Sequence, residues 1–449
     1  MKTLKIYVFA LLMLVLTLCC SAETFIRVGL SFGSSAVTKS SFSFAGGFQV
    51  GYLSDDGAFS PVMFFASNSV NVEKTSSGTF KIYDAGSGGC LFETEKGRSA
   101  VVCPQGVDRA SSYTLYGGIK YPYYILLTQN SDGSHNVINY VESEQYIKGV
   151  LPSEVYPSWH DEALRAAAVA TRTFTFKSMG GKHSSYGVDL CKTTCCQVYS
   201  GISKCTASTN RATDDTKGQV IMYDGKLITA VYHAISGGVT ESAAGAWGSS
   251  PESYPYLAVI ETPFEKYDTL SSGKWSRFIT DSEFASLISS SSYRNKISTD
   301  ISGISINDDT PGYINNMTIT DTSGNSVTLK TSSQVYSFFS KYVRSANFTI
   351  TRVYLPSEES RAVTVATAMG RENVPAGQTV HYLTAEGKKS SKGVSGGYFI
   401  DGKGYGHGVG MSQHGSQFAA LEGYTYDQIL GIYYPGTVIV NMNGEEQSE

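Results

Sequence analysis

The chain has 449 residues, long enough for two or three lobes at roughly 150 residues each. Its 35 Lys and Arg against 39 Asp and Glu give a net charge of −4, which supplies no basic field for a polyphosphate backbone and excludes nucleic acid as the expected partner. Charged residues are only 16% of the chain, and 30 Tyr, 46 Gly and many Ser and Thr enlarge its neutral polar share, a composition suited to a secreted protein with a carbohydrate-facing surface.

Lys2 and Lys5 precede an apolar run from Ile6 to Leu18, and Cys20-Ser21-Ala22 supplies small residues for cleavage, the pattern of a signal peptide. The run is shorter than the roughly 20 residues that span a bilayer, so cleavage of 1–22 is preferred to retention as an N-terminal membrane anchor. Both readings place the chain outside the cytoplasm, secreted or associated with the cell surface, where disulfides persist. Cleavage leaves six cysteines, of which Cys90 and Cys103 flank one short excursion and are expected to pair.

From Thr24 to about Gln129, short runs such as Phe25–Leu30 and Phe48–Tyr52 alternate with Gly/Ser turns, which predicts a β-rich lobe over 23–130. Ser158, with Asp161 three residues on, reads as a capping box opening an Ala-rich helix of about four turns that runs to Lys177. Asp224-Gly225 between Val220–Tyr223 and Leu227–His233 predicts a hairpin with a type I′ turn. A Ser/Thr-rich stretch over 265–375 reads as a folded α/β insertion, with a hairpin around Ser323-Gly324 and a helix carrying Val335, Phe338, Phe339, Tyr342 and Val343 on one face. Near the end, Ser416–Glu422 should be helical with Gly423 as its stop, and Thr425 with Gln428 opens a further helix that Pro435-Gly436 ends.

Four segments carry residues suited to chemistry. Glu154 sits in Leu151–Pro157, read as a turn between Pro152 and Pro157, where desolvation beside Val155 and Tyr156 would suit a general acid; Arg172 closes the following helix and is placed to orient a carboxylate or a sugar hydroxyl. Ser236-Gly-Gly follows a strand, where glycines let a ligand approach the backbone, and Trp247, Tyr254 and Tyr256 offer flat platforms for sugar rings. Ser236 lacks a G-x-S-x-G elbow and is not read as a nucleophile. Gly402–Gly415 implies a backbone wrapped tightly around something, with His407, Ser412, Gln413 and His414 projecting; its glycine spacing and surroundings do not fit a dinucleotide, and no organic cofactor is expected. His183 with Cys191, Cys195, Cys196 and Cys205 has the donors for a structural zinc site, with disulfides as the rival reading in an export compartment.

Three of these segments together resemble the SpoIID/LytB family of cell-wall proteins. Glu154-Val155, Glu162-Ala-Leu-Arg165 and Arg172-Thr173 are similar to the family's E-M-P…EALKAQAVAART signature, Ser236–Glu241 with Trp247-Gly248 to its SGG-x-TE…WG element, and Gly404–Gly415 with Tyr433–Gly436 to its G-x-GHGVGMSQ-x-G…YYPGT ending. The resemblance covers roughly Thr24 to Thr437 and implies an α+β fold, a β-rich lobe and a helical lobe enclosing an elongated glycan-binding cleft, with the core formed by 131–264 and 376–449. It implies lytic transglycosylation of peptidoglycan, with Glu154 as catalytic acid, Arg172 assisting, and Gln413 and Tyr256 as glycan contacts. The alternative it carries is a non-catalytic, peptidoglycan-binding enhancer of an amidase. Two departures stand out: Val155-Tyr156 replaces the Met between Glu and Pro, and Cys195 stands where zinc-carrying members have His, so the zinc ligands implied here are Cys191 and Cys196 with Cys195 or His183.

Overall fold

The computed structural model describes residues 24–105, 112–307, 312–353 and 396–442, and the backbone of four short strands between 363 and 391. Residues 1–22, where a signal peptide or anchor is expected, lie outside them, and among the described residues no helix is long and apolar enough to cross a membrane. The protein has a mixed α+β fold. It divides into two compact units: the chain up to Ser158 with Thr171–Val220 and Val440 onward, and Trp159–Ala170 with Ile221–Ile439.

In the first unit, a seven-stranded sheet runs in the order Leu190–Cys191, Phe25–Ser31, His135–Glu142, Tyr124–Gln129, Ala100–Pro104, Phe48–Leu53, Phe59–Phe65. Alternation sets its faces: Ile26, Val28 and Leu30 are buried while Arg27 between them is exposed. A six-stranded sheet, from Ile119–Pro122 to Cys90–Glu93, contributes Phe42, Val70, Val72, Phe80 and Ile82 to the same core. The expected Cys90–Cys103 pair does not form. Cys103 is fully buried on the seven-stranded sheet, where burial pushes its thiol up to about 12, and Cys90 lies exposed on the edge strand of the other.

Strand His135–Glu142 runs directly into helix α1 (Ser143–Glu154), because the Glu142 carboxylate accepts from the N–H groups of Glu144 (2.9 Å) and Gln145 (3.0 Å) and caps the first turn. Tyr146, Ile147 and Val150 join the sheet core, each burial contributing about 1.5–3 kcal/mol. The turn expected around Glu154 is therefore the last turn of a helix. Pro152 is tolerated inside it because the Lys148 carbonyl, which a proline cannot serve, accepts instead from the Cys205 thiol at 3.3 Å.

Helix α2 (Asp161–Ser178) begins in the second unit and ends in the first. The Ser158 capping box does not appear: the helix opens after His160, whose Nδ1 accepts from the Glu162 N–H at 3.3 Å. Helix α3 (Ala207–Asp215) is capped by Thr206.

The second unit opens with the predicted Asp224-Gly225 hairpin, with φ of 52° and 69° at the turn and Met222 paired to Leu227. Helix α4 (Ala243–Trp247) follows, stopped by Gly248 in the left-handed region. Two three-stranded sheets, Lys274–Thr280 with Gly397–Lys403 and Phe348–Val353, and Ile301–Ile306 with Met317–Asp321 and Ser326–Leu329, share a core with helices α5 (Asp281–Ser290) and α6 (Ser332–Phe339). Val335, Phe338, Phe339 and Val343 are buried as their spacing predicts, although α6 ends at Phe339. Helices α7 (Gln413–Leu421) and α8 (Tyr426–Tyr433) close the unit, with Gly423 at φ 95° between them and Thr425 capping α8.

Candidate functional site

Glu154 is half-buried at the end of α1, and its Oε1 accepts a hydrogen bond from the Val198 N–H at 3.3 Å. Helix α1 is pinned from beneath by Arg172, the largest fully buried side chain. The guanidinium donates from Nε and Nη2 to the two Glu144 carboxylate oxygens at 2.8 and 2.7 Å, and further to the carbonyls of Gln219 and Thr213, both at 3.1 Å, and the Thr216 hydroxyl at 3.5 Å. All five N–H donors are thus used inside the protein. Of the two roles the sequence offered Arg172, orienting a carboxylate or a sugar hydroxyl, the structure has the first: the carboxylate is Glu144, on the same helix as Glu154.

The four metal-ligand candidates converge. The ligand atoms of His183, Cys191, Cys195 and Cys196 all lie within 4.8 Å of one another, and Cys195 Sγ is 3.5 Å from His183 Nε2. Three thiols and an imidazole at this separation fit a four-coordinate zinc ion. Lys182 reaches Cys195 Sγ at 3.0 Å. Cys205 is not part of the group, being committed to the Lys148 carbonyl.

In the second unit, the glycine-rich segment is wrapped around a strand of its own chain. Tyr405 and Ile235 exchange main-chain hydrogen bonds, Tyr232 and His233 pair with Met411 and Ser412, and the His414 N–H donates to the Ala234 carbonyl at 3.0 Å. The approach is so close that a Cβ on Gly410, where φ is +72°, would lie 2.1 Å from the Val231 carbonyl oxygen. His407 is exposed, with Nδ1 accepting from the Val409 N–H at 3.0 Å and the Tyr232 main chain as its other partner, so the ring is locked in place. Trp247, 41% exposed at the end of α4, lies 6.2 Å from His407 and 6.3 Å from Tyr254 between ring centres. These rings form an aromatic surface. Gln413 is half-buried at the first position of α7, whose N-cap is Ser412.

Two expected contacts lie elsewhere. Tyr256 is buried behind Tyr254 and Tyr223, with its hydroxyl accepting from the Thr229 N–H at 3.0 Å. Ser236 is wholly buried; its N–H and hydroxyl both bind the Glu265 carboxylate, which burial pushes above the usual carboxylate range. Glu265 and Glu144, the carboxylates that organise the two units' loops and helices, are absent from the sequence reading. Each stands among other charged residues, Glu142 and Lys148 near one and Glu261, Lys266 and Asp268 near the other, so nothing local singles it out and only folding supplies its partner.

Residues 131–223 match the family model of the stage II sporulation protein, SpoIID, a span that includes Glu154, Arg172 and the cysteine cluster. The chain is 33% identical over 315 residues to the amidase enhancer of Bacillus subtilis, an alignment covering 66% of this chain and 40% of that protein. It is 26% identical to the stage II sporulation protein D of the same organism, over 66% of this chain and 74% of that one. These matches support the SpoIID/LytB family for this chain. An uncharacterized protein of the spirochaete Brachyspira hyodysenteriae is similar over more of the chain, at 29% identity across 79% of this sequence and 77% of its own. The chain spans only about 40% of the length of the amidase enhancer.

Proposed function

We propose that this chain is an exported lytic transglycosylase of the SpoIID/LytB family that cleaves peptidoglycan between N-acetylmuramic acid and N-acetylglucosamine, with Glu154 as both acid and base. The observation that carries the reading is the position of Glu154: a half-buried carboxyl at a helix terminus, held by a main-chain N–H, on a helix locked by the buried Arg172–Glu144 pair.

Glycosidases ordinarily use two carboxylates, one to protonate the leaving oxygen and one to attack or to activate water. In the proposed reaction the substrate supplies the second group. Glu154 gives its proton to the glycosidic oxygen as the bond to muramyl C1 breaks, releasing the N-acetylglucosamine 4-hydroxyl. The carboxylate then takes the proton of the muramyl C6 hydroxyl as O6 closes on C1, which leaves a 1,6-anhydro end and restores the acid without consuming water. Within the second unit, taken by itself, Trp247, Tyr254 and His407 present ring faces of the kind on which sugars stack, a surface suited to holding glycan, and Gln413 would add an amide contact. His183, Cys191, Cys195 and Cys196 would hold a structural zinc ion, whose contribution is to cross-link the loop that carries them.

A second reading has its own support: the relative that is 33% identical is called an amidase enhancer. A protein of this kind would bind glycan strands and stimulate an amidase without cutting glycan itself. Mass spectrometry of the products formed from intact and amidase-stripped peptidoglycan separates the two. Anhydro-muramyl ends that vanish in Glu154→Gln establish the transglycosylase; bound glycan with no new ends on either substrate establishes the enhancer.

A further inference from the structure

The residues between the cysteine cluster and the Val198 N–H form a single strap along α1. At its start, Leu190 and Cys191 pair in parallel with Val28 and Gly29 at the edge of the seven-stranded sheet, and the Cys191 N–H donates to Cys196 Sγ at 3.4 Å. At its end, the Ser200 N–H donates to the Gly149 carbonyl at 3.2 Å, the hydroxyls of Ser200 and Ser153 are 2.9 Å apart, and the Tyr199 hydroxyl donates to Asn139 Oδ1 at 2.7 Å. Between them lies Gln197, 2% exposed and next in sequence to the residue that holds Glu154. Its Oε1 accepts from the Thr175 hydroxyl at 2.8 Å and the Tyr146 hydroxyl at 3.4 Å, and its Nε2 donates to the Thr171 carbonyl at 3.3 Å.

A buried amide that ties one helix through Tyr146 and another through Thr171 and Thr175 fixes the peptide beside it more tightly than any exposed loop contact would. That peptide carries the N–H on the Glu154 carboxyl. The ligand candidate Cys196 precedes Gln197 directly, so cross-linking the cluster restrains the strap from its other side.

We propose that Gln197 is a positioning residue for Glu154, and that zinc held by His183, Cys191, Cys195 and Cys196 clamps the strap so that the Val198 N–H stays on the Glu154 carboxyl. The catalytic consequence rests on the transglycosylase reading; the positioning does not. Gln197 can be replaced without orphaning its strongest partner, since the Thr175 hydroxyl can turn its single proton from Gln197 Oε1 to the Thr171 carbonyl, also 2.8 Å away.

The test is hydrogen exchange at the Val198 amide, read by mass spectrometry with fragmentation to single residues, on the zinc-loaded chain, the same chain after chelation, and Gln197→Met. Glu154→Ala gives the rate for an amide with no carboxyl to bind. Chelation and Gln197→Met should each speed Val198 exchange severalfold, up to about tenfold, the size expected for loss of one hydrogen bond, while strand His135–Glu142 stays protected. In glycan cleavage, Gln197→Met should lower kcat and leave KM nearly unchanged. Val198 exchange that is the same in all forms overturns the proposal, as does loss of protection throughout the unit, or a purified chain that neither contains nor takes up zinc. If exchange responds as stated but the unmodified chain makes no anhydro ends, the positioning stands and only the enzymatic reading falls.

Discussion

Glu154 and Arg172 show how differently two residues of one motif are used. Exchanging the Glu154 carboxyl for an amide of the same shape should abolish anhydro-muramyl product while the melting temperature moves by no more than about 2 °C, because a surface substitution away from core packing changes stability little. Arg172→Met should do the reverse in kind: it leaves Glu144 buried without its countercharge, and breaking such a pair costs about 3–5 kcal/mol. Urea unfolding measures that loss, and unchanged stability would refute the structural assignment of Arg172. Residue type alone pointed to Glu154 as an acid, but it left Arg172 open between orienting a carboxylate and binding a sugar hydroxyl. The partner that decides the matter, Glu144, lies 28 residues away, and burial, which no single residue encodes, is what commits the guanidinium to it.

Elements were legible where their signals are local. The Thr425 cap, the Asp-Gly turn and the apolar face of α6 all act within four residues, and the structure has them where the sequence reads them, while the box read at Ser158 gives way to His160. Helix α1 was missed because Pro152 reads as a breaker, and the compensating thiol of Cys205 comes from 57 residues on. The glycine-rich segment was read as a wrap around something, which the structure identifies as the strand through Ala234. Gly410→Ala should therefore destabilise the second unit by more than about 1 kcal/mol, since its left-handed φ and its contact with the Val231 carbonyl both forbid a Cβ. Thr280→Ala, which removes only the cap of α5, should cost about 1 kcal/mol. Thermal unfolding of the two variants side by side checks the order; equal shifts would mean that the wrap relaxes around an added methyl group.

For the whole molecule, buried histidines set the response to acid. Burial lowers His135 from 6.5 to about 4, and burial together with the nearby His407 lowers His233 to about 3. Both are neutral in the fold, so the unfolded chain binds protons first as the pH drops. Stability is fully present above about 6.5 and declines as the pH falls toward 4, each histidine contributing a slope of up to about 1.4 kcal/mol per pH unit. Urea midpoints at pH 7 and pH 5 should show this loss, and His135→Phe should flatten the slope; an unaltered slope would place the acid response elsewhere.

By itself the sequence determined the alternation that builds the β-rich sheets, most of the turns and caps, and the ordered motifs by which the chain resembles the SpoIID/LytB family. These are patterns of residue type at short, fixed spacing, and steric and hydrogen-bonding rules act on them locally. Only the tertiary structure decided that Ser236, Tyr256 and Arg172 are interior, that Cys205 stands apart from the other cysteines, and that Gln197 lies between the metal-ligand cluster and Glu154. Those outcomes depend on which groups lose their water, and that is fixed by contacts between distant parts of the chain.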